Sequence, residues 1–285
     1  MGSGGYLEGV FVLLAINIVF AYGAFLPMAA GQLNLGVAGF VAMGAYIAAY
    51  LSNVYSWSPV PAAIAAAAAT AVIAFIVAFP ILRTRGIYLA LATFAFGQVV
   101  QATILNLNVV GGAAGYPVTA FAGSMLVGSV ALVVTVGIII LFHTRLGISL
   151  TAVSDDEVAA DLMGLSVRWL QTTAFTLGSA VAALGGALYA HYFSFVEAQN
   201  FGVMASLYIV LYVLLGGTQT VYGPILGAAI FTLLPELLRG SASWRYVIFA
   251  CLIIAVMVLR PQGVLTAGVL RRLFERGPRP GGKSA

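Results

Sequence analysis

The chain has 285 residues, of which 62% are hydrophobic and only 7% charged, whereas an ordinary soluble domain carries about 25% charged residues. That composition excludes a water-soluble globule, because the charged side chains needed to cover its surface are absent. The formal net charge of +4 does not indicate a nucleic-acid partner, since the Arg residues fall between apolar runs instead of on one basic face.

The first apolar run, 7–26, has no Lys or Arg before it and therefore predicts a spanning helix, not a signal peptide. It carries the intramembrane amide Asn17. A glycine-rich break at Gly31 to Gly36 precedes the run 35–51, and 61–82 follows. Beyond Arg83 and Arg85, the run 87–105 holds Gln98 and Gln101, three apart and so on one helical face. The run 125–142 ends at the longest polar interruption, 144–168, which contains Asp155, Asp156, Glu157 and Asp161, half of the acidic residues. Within it Ser154 reads as an N-cap, with the following carboxylates at the positive end of a helix dipole. Val158, Leu162 and Leu165 give that helix one apolar face, and Gly164 ends it.

Four further runs, 169–193, 203–215, 221–238 and 246–259, bring the candidate spans to nine, with eight to ten as the expected range. The seventh is short and the eighth carries Pro224 and Pro235, so one of the pair is expected to be re-entrant or broken. Gly223 and Gly227 form a small-xxx-small pair suited to close packing. The runs are continuous and lack the period-two alternation of lipid-facing strands, so the fold class is an all-α polytopic transmembrane bundle.

Short loops rich in cations stay cytoplasmic. If nine spans alternate, Arg83, Arg85, Arg145, Arg168, Arg260, Arg271, Arg272, Arg276, Arg279 and Lys283 share one side, and only Arg239 and Arg245 lie opposite. Gly5, Asn53 and Glu197 then face outside, the N-terminus is external and the C-terminal tail is cytoplasmic. Residues 1–265 make a transmembrane domain with a cytoplasmic segment at 144–168, and 266–285 make a basic tail expected to be disordered.

Paired glycine-rich breaks in the two halves, Gly31 to Gly36 and Gly216 to Gly223, point to a central pathway, because main-chain polar groups at membrane depth must line a cavity or be covered by protein. Gln32, Asn34, Thr218 and Gln219 are the candidate pathway groups, with Gln98 and Gln101 beside them; tight turns and interhelix packing are the competing roles. Every acidic residue sits in a loop or near a span end, which disfavours an ion-coupled carrier. An uncoupled channel fits the same absence, but has no need of an amphipathic docking helix at 154–165.

Cys251 is the single cysteine and reads as a buried apolar residue. His143 and His191 have no Cys or carboxylate at metal spacing, so no metal site or cofactor is assigned. Nucleophile motifs are lacking, so an enzyme is not expected. Gly277-Pro278-Arg279-Pro280-Gly281-Gly282-Lys283-Ser284 matches a phosphate-loop pattern, but no strand precedes it and no helix follows before Ala285.

Five ordered blocks carry a family likeness across nearly the whole chain. They are Gly31-Gln32-Leu33-Asn34-Leu35-Gly36 continuing to Met43-Gly44-Ala45-Tyr46; Leu82-Arg83-Thr84-Arg85-Gly86-Ile87-Tyr88-Leu89-Ala90; Gly111-Gly112-Ala113-Ala114-Gly115; Arg145-Leu146-Gly147 through Ser154 to Leu165; and Leu215-Gly216-Gly217-Thr218 to Gly223-Pro224. The chain resembles the permease subunits of branched-chain amino acid ABC importers, the LivH/LivM type. It departs from them at Val37, where a polar or His residue is usual, and in an expected lack of the extra N-terminal helix of the LivM branch.

The resemblance implies a type II ABC importer-like fold. It makes 155–165 an EAA-like loop contacting a cytoplasmic ATPase, with Glu157, Ala160 and Gly164 as the positions carried across; Asp155, Asp156 and Asp161 of the same segment are taken as coupling candidates beside them. It also implies a second related permease, two ATPase subunits and an extracytoplasmic substrate-binding protein. ATP hydrolysis then belongs to a partner chain. Branched-chain amino acids are the expected solute, with urea, short amides or other amino acids as alternatives.

Overall fold

The computed structural model describes residues 3–237 and residue 254. Its helices are α1 (Ser3–Met28), α2 (Val37–Tyr55), α3 (Pro59–Ile81), α4 (Ile87–Asn106), α5 (Ser124–His143), α6 (Arg145–Asp155), α7 (Glu157–Leu162), α8 (Val167–Phe193), α9 (Val203–Gly216) and α10 (Gly223–Leu237). A short antiparallel ladder pairs β1 (Tyr116–Pro117) with β2 (Phe195–Val196). Among the described residues, α1 to α5 and α8 are long and apolar enough to cross a membrane, and the protein is a mostly helical multi-pass membrane protein. The expected span 246–259, Cys251, the tail 266–285 and the motif at 277–284 lie outside the described residues.

Helix ends follow local chemistry. Pro59 opens α3, where a missing N–H costs nothing. Beyond Pro27, the amides of Gly31 and Gln32 return to the carbonyls of Met28 and Pro27, closing α1, and Gly31 takes φ +75°. The chain then crosses to α2 in the predicted break.

The core is built around α8, which packs against α1, α2 and α3. A Cβ on Gly44 would stand 2.1 Å from the Ala183 carbonyl oxygen, and one on Gly186 would stand 2.0 Å from that of Val41. Only glycine permits this α2–α8 approach, and membrane helices gain their association from such close packing. Exposed α5 is the contrast, with 17% of its apolar length buried against 61% for α8.

Two ends of the bundle are distinguishable. At one, the 29–36 break, the 82–86 loop and α6–α7 come together, since Arg85 pairs with Glu157 at 3.3 Å. At the other, β1 meets β2, Asn53 bonds Pro117 and Thr119, and Ser124 donates to Glu8. Successive long helices therefore alternate in direction, as predicted. The exception is the seventh run: α9 has 14 residues and is about 21 Å long, too short to cross a hydrocarbon core of about 30 Å. It turns at 217–222, where the Tyr22 hydroxyl donates to the Val221 carbonyl at 3.2 Å, and returns as α10. Gly227 sets this hairpin, for its Cβ would lie 1.7 Å from the Tyr212 carbonyl oxygen. The small-xxx-small pair thus serves packing within the chain.

Candidate functional site

At the α7 end, Asp156 accepts from the amides of Val158 at 2.9 Å and Ala159 at 3.0 Å, so it caps α7. This corrects the sequence expectation: Ser154 lies exposed in the last turn of α6, and the polar segment folds as two helices with Asp156 extended between them. Gly164, at φ +85°, ends the second helix as expected. The apolar face is also corrected. Ala160 is the buried residue of α7, packed with Val153 and Val167, while Leu165 lies past the helix against the same cluster. Val158, Leu162 and Met163 point outward and are 69%, 85% and 85% exposed. Ala160 is thus the α7 side chain turned towards α6 and α8, and the large apolar ones turn away.

Glu157 lies between that surface and the bundle. With its partner Arg85 it lines a cavity of about 60 Å³ shared with Gly31, Gln32, Thr84 and Gln171. A neighbouring cavity of about 540 Å³ is lined by Arg83, Asp161 and Arg168 with the same ion pair. Asp155 is exposed on the last turn of α6.

Gln32, Asn34 and Gly36 of the break are buried, with Leu35 and Gly36 against α4, while Gly31 and Leu33 are exposed. Gly36 comes so close to Thr93 that a Cβ would fall 2.1 Å from its carbonyl oxygen, and the Thr93 hydroxyl accepts from the Leu35 amide at 3.0 Å. Asn34 is folded back, its Oδ1 accepting from the Gly36 amide at 2.9 Å. Its Nδ2 and both amide atoms of Gln32 are buried without a partner among the described residues.

The other candidates do not join this cluster. Gln101, at the opposite end of α4, donates to the Ala198 carbonyl at 3.0 Å and ties down the 198–201 turn. Gln98 is half-buried one turn away. Thr218 and Gln219 occupy the α9–α10 turn, the first half-buried and the second exposed. Asn17 donates to Thr232 at 2.9 Å, joining α1 to α10. Buried His191 sits between the Ser52 hydroxyl at 2.7 Å and the Ala187 carbonyl at 2.8 Å. Among the described residues, no group of three or more His, Cys, Asp or Glu could hold a metal ion.

One feature escaped the sequence reading. Asn17, Tyr189, Asn200, Tyr208 and Tyr212 converge on a cavity of about 200 Å³. The available signal was the pair Tyr208 and Tyr212, four apart and so stacked on one face of α9.

The pattern describing the branched-chain amino acid transport system permease component matches residues 6–259. The Escherichia coli permease LivM of the high-affinity branched-chain amino acid transport system is 30% identical over 298 residues, covering 91% of this chain and 68% of LivM. LivH of the same system and organism is 26% identical over 129 residues, covering 45% of this chain and 42% of LivH. The Bifidobacterium longum fructose import permease FruG is 31% identical over 150 residues, covering 49% of this chain and 43% of FruG. No solved structure matches the chain. With a family pattern spanning all ten described helices and a LivM likeness over nine-tenths of its length, the chain belongs to the branched-chain amino acid transport permease family.

Proposed function

We propose that this chain imports branched-chain amino acids through the cytoplasmic membrane, in company with a second related permease, and that ATPase subunits drive it by docking on α7. By family it is a non-catalytic permease component of an ABC transporter. An external motor needs a rigid handle, and the outward face of α7 offers one.

The observation that carries this reading is the exposure of Val158, Leu162 and Met163 together on a capped helix. Burying a side chain of this size stabilises by about 1.5–3 kcal/mol, so a partner covering all three gains a useful part of its docking energy. Beside them, the solvent-exposed Arg85–Glu157 pair and the small cavity it shares with Gly31 and Gln32 offer a contact path to the break. A pull on α7 then reaches the proposed pathway without long-range rearrangement, with Asp155, Ala160, Asp161 and Gly164 shaping the docking unit.

Charge supports a cytoplasmic α7 end. All four described cations, Arg83, Arg85, Arg145 and Arg168, lie there, while Glu8 and Glu197 lie at the opposite end. The positive-inside rule favours this orientation, which puts the binding protein against the β1–β2 end. For the solute, the LivM likeness over 91% of the chain outweighs the fructose permease likeness over 49%.

Co-purification with the ATPase encoded beside this chain tests the docking. The wild type is expected to co-elute, and the pair Leu162→Arg and Met163→Arg to lose it, while Ser154→Ala keeps it. Failure of the wild type to associate with any such ATPase would overturn the reading.

A further inference from the structure

The cavity bounded by α1, α2, α8, α9 and the 198–201 turn has the chemistry of a solute site. Its three phenol hydroxyls and two amide oxygens have no hydrogen-bond partner among the described residues. Among the described residues the hydroxyls of Tyr189, Tyr208 and Tyr212 make no hydrogen bond. Asn17 uses its Nδ2 on Thr232, and Asn200 directs its Nδ2 to Glu197 at 3.4 Å, which leaves both carbonyl oxygens available.

Depth makes these groups informative. Asn17 lies near the middle of α1, whereas Asn200 lies at the end opposite α7, so the cavity runs inward from that end. Polar groups without partners at membrane depth are tolerated where they line a water- or solute-filled space. Phe20, Val41 and Ile209 complete the wall, giving it an apolar side. A few converging polar groups in an apolar wall are the usual composition of a ligand site, and about 200 Å³ is below the roughly 300–1,000 Å³ of pockets for drug-sized ligands.

We infer that this cavity binds the transported solute on its way through the chain, and that it takes a zwitterion with a compact aliphatic side chain. Among the described residues no cation lines it, so they offer an anionic solute no counter-charge there. The phenol hydroxyls donate to a carboxylate, the carbonyl oxygen of Asn200 and the nearby Glu197 carboxylate receive an ammonium group, and the apolar wall takes the side chain. This assignment rests on the import reading above, since it places one amino acid site within this subunit.

The test uses the assembled transporter in liposomes, with Cys251→Ser removing the native thiol and Ala205→Cys placing one in the cavity wall. Labelling by a small methanethiosulfonate is followed with leucine, urea or fructose present. Leucine is expected to slow labelling about tenfold at ten times its half-protecting concentration. The pair Tyr208→Phe and Tyr212→Phe is expected to raise that concentration about a hundredfold or more, from the loss of two hydrogen bonds to a charged group. A labelled thiol that leucine fails to protect overturns the site, as does a thiol that never labels because lipid or the second permease fills the space. Uptake by the wild type is measured in parallel. Leucine uptake without protection overturns this site and leaves the import reading standing, whereas absence of leucine uptake removes the import reading itself.

Discussion

The Gln32 side chain is 3% exposed, and neither its oxygen nor its nitrogen has a partner among the described residues. A buried amide in that condition costs stability, of order 1–3 kcal/mol for each unsatisfied group. The nearby cavity with the Arg85–Glu157 pair gives the amide somewhere to turn when the loops separate. Gln32→Met keeps the shape and removes both polar atoms. It is expected to raise the melting temperature of the purified complex while lowering solute uptake per ATP hydrolysed; a lowered melting temperature would show that the amide is already satisfied. That Gln32 lies at a chain break was legible from the glycines at Gly31 and Gly36. Its sharing a cavity with Glu157, 125 positions later, was not, because that contact depends on three loops meeting at one end. Gln101 shows the same limit in reverse: an amide in an apolar run is visible in sequence, but its bond to Ala198 depends on where the 198–201 turn lands.

For the long helices, hydropathy is a local property, and their positions were readable to within a few residues. The proposed docking element was harder. Val158, Leu162 and Leu165 have the spacing of one apolar stripe, yet α7 is only six residues long and Leu165 falls beyond the Gly164 turn. In so short a helix the nearest neighbours decide which side is buried, and here that side carries Ala160. The cap moved for a related reason, because α6 continues through Ser154 and leaves Asp156 as the first extended residue. Removing this cap should cost about 1 kcal/mol. Asp156→Ala is therefore expected to speed hydrogen exchange at Val158 and Ala159 about fivefold, with Ser154→Ala leaving both rates unchanged. Equal effects of the two substitutions would return the cap to Ser154.

Across the whole molecule, the loops alternate between two ends, and the described cations gather at the end that holds α7. The family likeness and the six long helices establish a membrane permease; the direction proposed for it rests on electrostatics alone. Direction matters to mechanism, since an ATPase reaches α7 from the cytoplasm only, and the Tyr-lined cavity must then open towards the outside. Sidedness therefore tests the account most directly. Val158→Cys in a Cys251→Ser chain, expressed in intact cells with its partner subunits held at low level, is treated with a membrane-impermeant maleimide before and after permeabilisation. The account predicts labelling only after permeabilisation, and reduced labelling once the ATPase is supplied. Labelling of Val158→Cys in intact cells would contradict it, because the proposed docking face would then lie on the wrong side of the membrane.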